Sequence, residues 1–256
     1  MPNSPVAGLA IATRRVKDPQ ATIICVHGGL DRGGSFARLA RRTSQFDLVA
    51  YDRRGYQGSR ALSPVTLALH VDDLATVAQH EAANAPIIFF GHSFGGVITF
   101  ATAFRAPLLA ALVVNYESPL PWILARTASR PTPSADPALE AENFFRRVVS
   151  TTAWLRLSEF EKESRRLDGS GLLSDLAMVG GGAPFDLAAL QTPAAYLHGD
   201  QLRAPYYREL CREIVRLNPA VTTRELVGAG HGAHLTHPDQ LAMVLGELWE
   251  QRCVLA

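Results

Sequence analysis

The feature that most limits what this chain can become is a repeated alternation of short apolar runs with helix-patterned stretches. Residues 22–26, 46–51, 86–90 and 109–115 are almost wholly apolar, so each reads as a strand buried on both faces. Residues 194–197 and 222–227 repeat the pattern, and residues 6–16 supply an opening strand or hairpin. Between them, residues 35–42, 67–83, 94–105, 204–217 and 238–251 carry helical composition. Strand alternating with helix predicts an α/β protein with a mostly parallel sheet flanked by helices. Ligands of such sheets bind at the carboxyl ends of the strands. The turns rich in glycine, histidine and acid fall at those ends: His27-Gly28-Gly29, Asp52, Gly91, Glu117 and His198-Gly199-Asp200.

The alternation lapses over residues 118–183. Pro119, Pro121, Pro131, Pro133 and Pro137 come first, then helical candidates at 138–150 and 152–167, then the breaker Gly180-Gly181-Gly182. The expected organisation is a core domain of residues 1–117 and 184–256, with a helical cap of residues 118–183 inserted after the strand ending near Glu117.

Composition narrows the partners. With 256 residues, 47% hydrophobic and 19% charged, the chain can bury a large core. A net charge of +1 leaves no excess cation to hold nucleic acid or an anionic membrane. Residues 82–104 lack Asp, Glu, Lys and Arg and are long enough to span a bilayer, but Pro86 and the polar turn from Gly91 to Gly96 divide them. Cys25, Cys211 and Cys253 are odd in number and widely spaced, which reads as reduced thiols. The apolar run 6–12 is short, and Arg14, Arg15 and Lys17 follow it, so it does not read as a signal peptide. The expected location is cytoplasmic.

Gly91-His92-Ser93-Phe94-Gly95 joins a strand-like run to a helix-like one, the context of a G-x-S-x-G nucleophile elbow. The glycines permit a turn tight enough to hold the serine hydroxyl clear of the sheet. The Phe94 N–H at the start of the helix then points to where a carbonyl oxygen gains negative charge. Ser93 is the candidate nucleophile. Its hydroxyl needs a general base, and histidine has the matching pKa.

With His27-Gly28-Gly29, Asp52-Arg53-Arg54-Gly55 and Gly230-His231 added to this elbow, the sequence resembles the α/β-hydrolase superfamily over nearly all of the chain outside the inserted region. The resemblance implies that His231 is the catalytic base; His92 is adjacent to the serine, but successive side chains at the elbow diverge, so it reads as structural. It also implies that the residue after His-Gly, Gly29, donates the second oxyanion N–H beside Phe94, with Leu30 the alternative if the loop is shifted. Serine at the elbow separates the chain from the epoxide hydrolases and haloalkane dehalogenases, which use aspartate. In the second motif Gln57 stands where the family has glycine, which bears on the local path of that loop.

The acid has two candidates. In most of the family it follows the penultimate strand, where Gly199-Asp200-Gln201-Leu202 stands; in some relatives it follows the strand after the nucleophile helix, where Glu117 stands. Glu117 is preferred and Asp200 is the alternative. His231, His234 and His237 also form an H-x-x-H-x-x-H series, but Gly232 and Pro238 imply a loop rather than one helical face, so no metal is expected there. No phosphate-loop or dinucleotide fingerprint occurs, and no cofactor is expected.

Together these readings predict a serine hydrolase acting through an acyl-enzyme on a small-molecule carboxylic ester with a small to medium apolar acyl group. Trp122, Phe144, Phe145 and Trp154, with Leu30, are the candidate pocket residues. The same triad would serve a thioester, lactone or carbon–carbon substrate, and a noncatalytic ligand-binding relative is the reading from another class.

Overall fold

Seven strands, β1 (Ile11–Arg14), β2 (Ala21–Val26), β3 (Phe46–Tyr51), β4 (Ile87–His92), β5 (Leu112–Tyr116), β6 (Ala194–Gly199) and β7 (Thr222–Leu226), form one sheet. Their order is β1-β3-β2-β4-β5-β6-β7. β1 runs antiparallel to β3, and every other pairing is parallel. This computed structural model describes residues 6–82, 85–124 and 131–255.

Period-two geometry sends alternate residues of each strand to opposite faces. Ile24, Phe89, Val113 and Tyr196 pack under α2 (Leu67–Glu81), α3 (Phe94–Arg105) and α8 (Ala204–Leu217). Ile23, Cys25, Ile88 and Phe90 pack under α1 (Ala37–Ala40), α9 (Ala233–Thr236) and α10 (Pro238–Leu255). β2 to β6 are buried at every position, as a sheet covered on both faces requires. β7 is the edge and exposes Arg224 and Glu225, charges that discourage pairing with another chain.

Residues 6–16 give a 3-10 turn and β1 rather than a hairpin of their own. The apolar stretch 82–104 resolves into β4 and α3, apart from residues 83 and 84, which lie outside the described residues. Among the described residues no helix is long and apolar enough to cross a membrane. Cys25 and Cys211 are free and buried, and burial pushes both thiols up, Cys211 to about 12. The side chain of Cys253 lies outside the described residues.

Between β5 and β6 come α4 (Pro137–Phe145), a π-helical turn (Arg146–Ser150), α5 (Thr151–Arg156), α6 (Glu159–Leu167) and α7 (Gly169–Gly180). The Asp136 carboxylate caps α4 by accepting from Ala138 N–H, and Ser158 with Glu161 forms a capping box on α6. The expectation of two helices over 138–150 and 152–167 is corrected in two ways. The stretch breaks into shorter pieces, and α7 was not foreseen. Glycine disfavours a helix by about 1 kcal/mol, so Gly169 and Gly171 argue locally against α7. Packing requires them nonetheless: a Cβ on Gly169 would lie 2.0 Å from the Pro137 carbonyl oxygen, and one on Gly171 2.7 Å from that of Gly55. Residues 125–130 of the insertion lie outside the described residues.

Candidate active site

The carboxyl end of β4 turns sharply at Ser93, whose φ of 53° and ψ of −126° are costly for any residue with a side chain. α3 begins at the next residue. The turn packs this tightly because Gly91 and Gly95 carry no Cβ where Gly96 and the end of β2 pass against them. A Cβ on Gly95 would sit 2.0 Å from the Val26 carbonyl oxygen, and one on Gly91 2.5 Å from Gly96 Cα. The G-x-S-x-G spacing is therefore a packing requirement as well as a conformational one.

After β7, the chain carries His231 back over the same strand ends. Its Nδ1 lies 2.7 Å from Glu117 Oε2, and because a carboxylate only accepts, the proton sits on Nδ1 and leaves Nε2 with a lone pair. Glu117 directly follows β5 with a φ of 48°. Its other oxygen, Oε1, accepts from Gly199 N–H at 3.0 Å, so both oxygens are engaged. The Tyr116 hydroxyl donates to Gly230 O (2.8 Å), and His92 Nε2 donates to His231 O (2.8 Å). These two bonds fix the loop on either side of the imidazole's attachment. Burial pulls His231 below the ordinary imidazole value, against the opposing effect of the hydrogen bond it donates to Glu117.

Asp200 is engaged elsewhere. Its Oδ1 accepts from Gly228 N–H (2.9 Å) and from the Gln201 amide (2.8 Å), bracing the start of the loop that carries His231. Of the two acids weighed from sequence, Glu117 is the one hydrogen-bonded to His231.

Gly28 and Gly29 close over Ser93: a Cβ on Gly28 would meet Ser93 Cβ at 2.7 Å. The loop is held by His27, which is fully buried. His27 Nε2 accepts from Arg53 N–H (2.9 Å), while Nδ1–H donates to Gly28 O (2.7 Å). Burial, reinforced by the Arg53 charge, pulls His27 down to about 3, so it is neutral in this role. Arg53 also donates to His27 O and Gly28 O, and pairs at 2.6 Å with Asp175 of α7. The Asp-Arg-Arg-Gly turn thus ties the loop above Ser93 to the inserted helices. Gln57, the departure from the family pattern, takes a φ of 43°, and both its N–H and its side-chain amide donate to Asp168.

Ser93, His231, Glu117 and Gly29 line one cavity of about 380 Å³. A smaller recess of about 130 Å³ adjoins it, sharing those four residues and walled by Phe94, Phe144, Val148, Leu172 and Leu176. Leu30, Phe144 and Phe145 reach the larger cavity. Trp122 and Trp154 do not, which corrects the sequence expectation. Trp122 packs edge-on to Phe185, and Trp154 is 1% exposed among Ala141, Phe145 and Leu172. A helix's apolar stripe buries itself against its neighbours before it can line a pocket. Trp154→Ala is accordingly expected to cost about 3–5 kcal/mol in denaturant unfolding and to depress activity on all substrates alike. A selective change in chain-length preference would return Trp154 to the pocket.

Sequence reasoning missed Asp31, Arg165 and Arg203, all of which line the cavity. Asp31 carried a usable signal, two residues past Gly29 in the same loop; the two arginines carried none. The H-x-x-H-x-x-H series separates: His237 Nδ1 meets the Thr236 hydroxyl at 2.9 Å, while His234 Nε2 faces Asp31 Oδ2 at 3.4 Å.

Residues 23–244 match the model of the alpha/beta hydrolase family. The chain belongs to that family. It is 26% identical over 202 residues to a monoacylglycerol lipase of Mycolicibacterium smegmatis, covering 73% of this chain and 71% of that one. It is also 26% identical over 230 residues to Lipase LipV of Mycobacterium tuberculosis, covering 88% and 80%. A lipase-esterase related protein from Clostridium acetobutylicum shares the fold, with a TM-score of 0.70 at 16% identity over 94% of this chain and 99% of that one.

Proposed function

We propose that this member of the α/β-hydrolase family is a serine hydrolase that cleaves carboxylic esters of small to medium apolar acyl groups. The observation that carries the proposal is the 2.7 Å Glu117–His231 pair lining the same cavity as Ser93. Ser93 attacks the ester carbonyl while His231 Nε2 takes its proton. The N–H groups of Gly29 and Phe94 receive the developing oxyanion; losing one such donor costs a factor of about 100 to 1,000 in turnover. Glu117 holds the imidazole in the required tautomer and stabilises its cationic form. His231 then protonates the departing alcohol, and water attacks the acyl-enzyme with the same base.

The 130 Å³ recess walled by Phe94, Leu172, Leu176 and Val179 suits an acyl group of small to medium size, which supports this reading. The larger cavity, with Asp31, Arg165 and Arg203 on its wall, suits a polar alcohol. In this reading the helices of residues 118–183 act as a cap that supplies Phe144 and Phe145 to the site. The lipase names of the two curated relatives support ester chemistry.

A fluorophosphonate should label the protein at Ser93, and a panel of esters, thioesters and lactones should show preference for esters. An unlabelled, inactive protein would point to a noncatalytic binder instead. Because the base must be neutral, activity is lost as pH falls through the His231 pKa. Burial lowers that pKa, so the acid-side inflection of kcat/KM should lie below the ordinary imidazole value of about 6.5. In Glu117→Gln the acid limb should move lower still, since Glu117 opposes the shift. A wild-type inflection above about pH 7 would contradict the assignment.

A further inference from the structure

Beside His231, three side chains from separate segments converge: Asp31 from the loop after β2, His92 from the end of β4 and His234 from α9. Their ligating atoms all lie within 4.8 Å of one another. Asp31 Oδ2 is 3.8 Å from His92 Nδ1 and 3.4 Å from His234 Nε2. His92 and His234 are 6% and 1% exposed, yet among the described residues His92 Nδ1 and both ring nitrogens of His234 lack a hydrogen-bond partner. Buried polar atoms are seldom left so.

The tautomers sharpen the problem. His92 Nε2 must donate, because its partner is the His231 carbonyl. In the neutral imidazole Nδ1 then presents a lone pair toward the Asp31 carboxylate, so two acceptors face each other unless a cation, whether a proton or a metal ion, lies between them.

We propose that Asp31, His92 and His234 form a binding site for a divalent transition-metal cation of the zinc class, opening onto the active-site cavity. One carboxylate and two imidazoles are a donor set suited to such ions, and a tetrahedral site places its ligand atoms about 3.4 Å apart. Side-chain adjustment of roughly an ångström closes the present spacing to that value. One neighbouring bond already has the form of a support for a metal ligand: His92 gives its other N–H to a backbone carbonyl. All three residues line the cavity, so the remaining coordination position faces the substrate space.

The consequence for catalysis rests on the serine-hydrolase reading. The His92 and His231 rings are 4.8 Å apart, so a cation on His92 opposes formation of the His231 imidazolium and slows turnover.

The test titrates chelator-stripped full-length protein with Zn²⁺ by calorimetry and with Co²⁺ by its visible absorption, at neutral pH. The expected result is one equivalent bound. Near-isosteric Asp31→Asn and His234→Gln should each weaken affinity by about 100-fold or more, while His237→Gln leaves it unchanged. Absence of one-to-one binding to the wild type below about millimolar metal would overturn the site, as would full affinity in both ligand variants. Calorimetry decides this whether or not Ser93 labels with fluorophosphonate. Where it does label, Zn²⁺ should slow ester turnover in the wild type and not in His234→Gln.

Discussion

Ser93→Ala is expected to lower ester turnover by at least about 10⁴-fold while leaving the fold intact. The hydroxyl is the only group removed, and alanine at a φ of 53° carries the same backbone strain as serine. Ser93→Gly should be equally inactive but more stable, because glycine takes up that conformation without the Cβ penalty; the strain at such a residue is of order 1–3 kcal/mol. A paired measurement of turnover and thermal unfolding separates the two effects. Activity above a tenth of wild type in Ser93→Ala would remove Ser93 from the nucleophile role. A melting temperature for Ser93→Gly below that of Ser93→Ala would mean that the turn is not strained as its dihedral angles indicate.

Glu117→Gln should cost about 1,000-fold or more, through a tautomer error rather than a lost contact. Glu117 Oε1 accepts from Gly199 N–H and Oε2 from His231 Nδ1. A glutamine can keep the first bond only by placing its carbonyl oxygen there, which turns its NH₂ toward Nδ1. That nitrogen must then offer its lone pair, the proton moves to Nε2, and the imidazole can no longer accept from Ser93. Asp200→Asn should cost far less, since Asp200 braces the turn at Gly228 and Gln201. Comparison of kcat/KM for the two variants, with circular dichroism to verify folding, tests the ranking. If Asp200→Asn proves the more damaging, the acid is Asp200.

Much of the core was legible because its signals are local. The limits of β3, α3 and α8 coincide with the expected 46–51, 94–105 and 204–217, since a doubly buried strand or an amphipathic helix declares itself by its own periodicity. α7 was illegible because its glycines answer to Pro137 and Gly55, residues distant in the chain, and local propensity argued against them. Trp154 misled for a related reason: an apolar side chain looks the same in sequence whether it lines a pocket or packs beneath a helix.

By itself the sequence determined the alternating architecture, the family resemblance and the positions of Ser93 and His231, because a tight turn or a strand end needs particular residue types at adjacent positions. Only the tertiary structure showed that Glu117, not Asp200, is hydrogen-bonded to His231, separated Phe144 and Phe145 from Trp122 and Trp154, and brought Asp31, His92 and His234 together. Each of those outcomes is a distance between segments far apart in the chain. Such distances arise when β2, β4, β5 and β7 align their carboxyl ends in one sheet, and no local pattern encodes which side chains then meet.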